Sequence, residues 1–144
     1  MDDTGPLPLR TLAVRGAVAM VATATANYLL LLVVLQSGVV DPFGALRPPP
    51  VVALSVLGAL AATTVYGAIT RAVTDPDWLF ARVAAVALLL SFLPDLAVLR
   101  WDPTATLGAV FVLMGMHVVA AVICVVFLTD WWSPINRPDA TTVT

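Results

Sequence analysis

The sequence contains no lysine and no glutamate: its seven basic residues are all Arg and its nine acidic residues all Asp, for a formal net charge of −2. That balance offers no basic surface to DNA or RNA, so no nucleic-acid partner is expected. Arg and Asp without Lys suit a high-GC genome and a salt-adapted organism. Charged residues make up only 11% of the chain, against about 25% in a soluble domain. The single cysteine, Cys124, excludes an intrachain disulfide and leaves the redox compartment open. The single histidine is His117. A phosphate-cradling glycine loop, zinc-ligand spacing and a serine-nucleophile elbow are all missing. No catalytic residue, no cofactor and no metal site is therefore expected.

What is present is hydrocarbon. Hydrophobic residues make up 60% of the 144 positions, and the charges cluster at the ends and in short connections. The remaining runs are ~20 residues or longer, the length that crosses a bilayer as helix. Four such spans are expected, at about 11–35, 51–70, 76–99 and 103–129, flanked by polar tails over 1–10 and 130–144. The first run exceeds the usual 7–15-residue core of a signal peptide and reads as a retained span. Short loops force antiparallel neighbours, so the expected fold is an all-α, up-down bundle of four transmembrane helices in one domain. Arg10, Arg15, Arg71, Arg82 and Arg137 fall on one side, Arg47 and Arg100 on the other. The positive-inside rule then places both termini in the cytoplasm of a multi-pass cell-membrane protein.

Local signals mark the connections. Asp41-Pro42, Asp75-Pro76 and Asp102-Pro103 each pair a capping residue with a proline suited to the first helical position. They predict a short interfacial helix from Pro42 to Leu46 and the starts of spans 3 and 4. Arg47-Pro48-Pro49-Pro50 is expected to be extended. Trp78, Trp131 and Trp132 read as interface anchors. The small residues early in span 1, and Ser55, Gly58, Ala59, Ala62 and Tyr66 in span 2, predict close helix contacts.

The informative residues are polar groups inside the spans. Asp95 follows Pro94 late in span 3, with Ser91 one turn before it. An ionisable residue at membrane depth costs ~2.5 kcal/mol or more and turns to the bundle or to water. Pro94 removes a backbone donor, marks a candidate hinge, and leaves the Leu90 carbonyl needing another partner. At ~1.5 Å per residue, Asn27 and Asp95 both lie roughly 20 Å into a ~30 Å core, with His117 near the midplane. Asn27, Ser91, Asp95 and His117 thus form a candidate intramembrane polar cluster. The plainer alternatives pair Asp95 with Arg100 at the interface, make His117 a neutral imidazole bonded to a neighbouring helix, and leave Asn27 as interhelical glue. Arg15 is expected to snorkel, Arg82 to snorkel or pair with Asp75, Asp77 or Asp130, and Tyr66 to place a hydroxyl at an interface or in the bundle.

Ser91 with Pro94-Asp95, and Met116-His117-Val118-Val119-Ala120-Ala121 in span 4, resemble an uncharacterised family of small four-span bacterial and archaeal membrane proteins. Asn27 and the proline-rich approach to span 2 fit the same pattern. The resemblance implies a four-helix integral membrane fold over roughly Val14 to Leu128, brings no activity with it, and points to Asp95 and His117 as one site. The leading functional expectation is a non-catalytic structural or accessory membrane component, partnered by the lipid bilayer and by copies of itself or another membrane protein. The alternative is a proton- or ion-coupled transporter or channel subunit using Asp95 and His117. A membrane redox or lipid-modifying enzyme ranks third.

Overall fold

A computed structural model describes residues 7–40 and 44–130. Those residues form four helices: α1 (Leu9–Ser37), α2 (Pro48–Ala72), α3 (Pro76–Trp101) and α4 (Leu107–Leu128). All four are long and apolar enough to cross a membrane. Even the shortest, with 22 residues, rises roughly 33 Å.

Prolines set three of the four starts. Pro8 occupies the position before α1, while Pro48 and Pro76 open α2 and α3. A first-turn N–H has no intrahelical acceptor, so proline loses nothing there and arrives with its φ already helical. This overturns the expectation of an extended Pro48-Pro49-Pro50, which forms the first turn of α2 after an extended Arg47. Asp75 holds the cap position of α3 without a side-chain capping bond. The expected cap at Asp102-Pro103 is also corrected. Asp102 closes α3, and α4 begins only after Thr106, whose Oγ1 accepts from the Ala109 N–H at 3.2 Å. α1 ends on Gly38, whose φ of 67° is the left-handed conformation glycine adopts without penalty. Of the expected interfacial helix, residues 41–43 lie outside the described residues, and 44–46 form a turn and bend. Trp131 and Trp132 also lie outside them.

Within the bundle α1 packs on α2 and α4, while α3 packs on α4 and more lightly on α2. α1 and α3 make no close approach and occupy a diagonal. Two apolar cores fill the interior. Leu31, Val51, Leu113 and Met116 form the one remote from the termini, with Val40 and Leu46 of the first connection folded over it as a plug. Leu12, Tyr66, Phe80, Cys124 and Leu128 form the other.

The α1–α2 seam depends on small residues, though not on all those expected. A Cβ on Gly16 would lie 2.5 Å from Thr63 Cγ2, and one on Gly67 would lie 2.5 Å from Leu12 Cδ2. Gly58 instead faces outward with nothing near it, and Thr63 and Gly67 take its expected place on the buried stripe. The distribution of polarity is inverted relative to a water-soluble bundle. Thr23 is 0% exposed and Asn27 4%, whereas Leu89 is 65% exposed and Phe111 69%. Leucines outside and amides inside are the arrangement that hydrocarbon solvent selects.

Candidate intramembrane polar site

Asp95 points inward from α3. Its Oδ2 lies 3.1 Å from Nδ1 of His117 on α4, and the aspartate is buried, at 6% exposure. The same Nδ1 lies 2.9 Å from the Leu113 carbonyl, one turn earlier in α4. A carbonyl oxygen only accepts, so this bond requires the hydrogen on Nδ1. That hydrogen is aimed at Leu113, and Asp95 Oδ2 is left at contact distance without an aligned hydrogen bond. The imidazole is 40% exposed while its carboxylate partner is enclosed. Asp95 makes no pair with Arg100, since the ion pairs among the described residues join Asp95 to His117 and Arg15 to Asp130.

The other expected members stand apart. Asn27 Nδ2 donates to Ser55 Oγ at 2.9 Å across the α1–α2 seam, and its Oδ1 is buried without a partner. Ser91 donates to the Leu88 carbonyl at 2.7 Å within its own helix, rather than to Asp95 or to the Leu90 carbonyl that Pro94 frees. Pro94 itself is exposed, and α3 remains helical through it. The four-residue cluster is thus replaced by two pairs at a similar level, roughly 10–15 Å from the helix ends remote from the termini. The physical reason is connectivity: α1 and α3 are diagonal, so Asn27 has no path to Asp95.

A second polar group lies at the opposite end and joins residues far apart in sequence. Arg15 Nη1 donates to the Leu128 carbonyl at 3.0 Å, and Nη2 pairs with Asp130 at 2.5 Å. The Asp130 N–H donates to Asp77 Oδ2 at 2.9 Å, and the Tyr66 hydroxyl donates to Asp77 Oδ1 at 2.6 Å. One chain of contacts thereby joins α1, the end of α4, the start of α3 and α2. Arg82 does not join it; its guanidinium lies over the Trp78 ring. The Tyr66–Asp77 half was accessible in principle, because a tight hairpin must bring the last turns of one helix against the first turn of the next. The Arg15–Asp130 half spans 115 positions and has no local signal. Among the described residues no three His, Cys, Asp or Glu side chains are placed to hold a metal ion.

Residues 8–131 match the model of a family described as a family of unknown function, DUF6069. No curated protein and no solved structure matches the chain.

Proposed function

The chain belongs to this family of unknown function, and from its geometry we propose a non-catalytic accessory or structural role in a cell membrane, with α3 as the helix that meets other membrane proteins. One observation carries this reading. α1 buries six residues and α2 seven, but α3 buries only Phe80 and Asp95. Its flank of Val86, Leu89, Leu90 and Leu93 is exposed. In lipid an apolar flank gains little from burial as such, and helix association rests on packing and on polar contacts. A lightly packed helix whose neighbour carries a half-exposed imidazole offers both. The test uses a Cys124→Ala background with single cysteines at Leu89 on α3 or Leu29 on α1, cross-linked in native membranes. Adducts from position 89 with few from 29 support the reading; equal or absent adducts overturn it.

A second reading, a proton- or cation-coupled subunit, is favoured by the 3.1 Å approach of Asp95 to His117. Here Nε2 of His117 takes up the proton, Asp95 stabilises the resulting imidazolium, and Pro94 lets the outer part of α3 move. Proton flux in proteoliposomes tests it. Flux abolished by Asp95→Asn and by His117→Ala favours this reading over the first, and flux indifferent to both removes the pair from any transport step.

A further inference from the structure

At the terminus-side end, α1 and α2 leave an outward-facing groove of about 370 Å³. Leu9 and Ala13 of α1 and Thr64, Gly67 and Ala68 of α2 line it, with Arg71 at its mouth. The threonines of this wall spend their hydroxyls on their own helix: Thr63 donates to the Ala59 carbonyl and Thr64 to the Leu60 carbonyl. The trench therefore presents hydrocarbon from Thr63 to Arg71, roughly 12 Å along the helix.

The mouth is cationic. Arg71 lies in the last turn of α2 and donates through Nη1 to the Gly67 carbonyl. Among the described residues that is its one side-chain hydrogen bond, out of five donors. No carboxylate lines the groove, and Arg71 makes no ion pair among the described residues. Arg10, exposed, follows Leu9 in α1 and adds positive charge to the same end. An apolar trench ending at a guanidinium with no ion pair among the described residues matches one ligand chemistry, a chain of methylenes bearing a phosphate.

We propose that the α1–α2 groove is a seat for an anionic phospholipid, with an acyl chain along Ala13, Thr64 and Ala68 and the phosphate on Arg71. A choline headgroup adds a cation beside Arg71, so an anionic headgroup is preferred over a zwitterionic one. The outward groove at the other end is an internal control. It measures about 350 Å³ and is lined by α3 alone, with Arg100 and Trp101, so it has an arginine but no second helix wall.

The experiment is native mass spectrometry of the full chain in detergent, titrated with dioleoyl phosphatidylglycerol or dioleoyl phosphatidylcholine. The wild type is expected to retain phosphatidylglycerol roughly fivefold better, the preference that one arginine near an anionic headgroup supports. Arg71→Gln brings the two lipids to parity, and Arg71→Lys keeps most of the preference. Ala68→Phe fills the trench and lowers retention of both lipids, while Arg100→Gln leaves the ratio unchanged. The proposal is overturned by parity in the wild type, or by a ratio that survives Arg71→Gln. It is equally overturned by a lipid-free dimer that Ala68→Phe dissociates, which would put a second copy in the groove. Should Arg71→Gln fail to fold, Arg71→Lys and Ala68→Phe decide the matter.

Discussion

The two ends of the bundle solve the same problem in different ways. At the terminus-side end, Arg15, Asp130, Asp77 and Tyr66 form one connected chain touching all four helices. Toward the other end, the polar groups form two separate pairs, Asn27–Ser55 and Asp95–His117, each confined to one seam. Arg15 and Asp130 are 26% and 51% exposed, whereas Asp95 is enclosed. The rim network therefore lies where water shares its charges and where salt screens them. Asp95, Asn27 and Ser55, at 6%, 4% and 6% exposure, lack that relief. Their value is register and neighbour choice, and losing one partner leaves the other stranded. The comparison predicts that small changes inside the span disturb the fold more than larger changes of charge at the rim.

The sharpest test is His117→Leu. It leaves the buried Asp95 carboxyl without its nearest polar neighbour, and the expected loss is about 3 kcal/mol, the upper end for a buried polar group left without a partner. Asp95→Leu combined with His117→Leu removes the stranded group and should recover most of that loss. Unfolding in mixed detergent micelles measures all three proteins. Additive losses, with the double variant the least stable, would show that the two residues are not coupled.

Glycine substitutions separate the seam from the surface at a somewhat smaller scale. Gly16→Ala drives a methyl into Thr63, and overpacking of this kind costs about 1–3 kcal/mol. Gly58→Ala and Gly115→Ala add their methyls to open space, and each should leave stability equal or slightly higher, since Ala is the better helix former. If Gly58→Ala destabilises as much as Gly16→Ala, the assignment of inner and outer faces is wrong.

How much of this was legible beforehand follows from the range of each signal. The four spans were readable because a lipid-crossing helix needs a long local run, and such runs survive without tertiary information. Helix ends were less so. Asp-Pro suggests a cap wherever it occurs, yet at Asp102 the competing bond from Thr104 closes a turn instead, and Thr106 caps α4. The proline run is helical rather than extended because three prolines cost nothing in a first turn. Depth along the chain placed Asn27, Asp95 and His117 at one level. It could not say which helices were adjacent, and adjacency is what separates Asn27 from Asp95. Ser91 illustrates the same gap. A serine one turn from a carboxylate has a nearer acceptor in its own helix, and it took the Leu88 carbonyl.

At the rim, Tyr66→Phe removes one hydroxyl donor to the Asp77 carboxylate and should cost about 1.5 kcal/mol, the low end for a bond to a charged group. Arg15→Gln should cost about 1 kcal/mol at low salt and less as salt rises, since its partner Asp130 is half exposed. Thermal unfolding in detergent at two salt concentrations distinguishes this from the interior, where His117→Leu should be nearly indifferent to salt. A salt-insensitive Arg15→Gln would erase the proposed difference between the ends.

The smallest effect belongs to Asp102, in the turn after α3. The Thr104 hydroxyl donates to Asp102 Oδ1 at 2.6 Å and the Thr104 N–H to the same oxygen at 2.9 Å. Both bonds favour the charged carboxylate, so its pKa lies below the ordinary aspartate value, with the hydroxyl bond as the larger cause and the amide next. A lowered folded-state pKa fixes the sign. The turn's contribution is fully present above the unfolded aspartate value, about 3.9, and is lost as pH falls from there through the lower folded value. Asp102→Asn accepts the same two bonds through a neutral oxygen and has no proton to take up. The stability gap between wild type and Asp102→Asn should therefore narrow as pH drops below about 4 and stay constant above about 5. Thermal unfolding of the two proteins across that range measures it, and a gap that widens on acidification would mean that Thr104 does not favour the carboxylate.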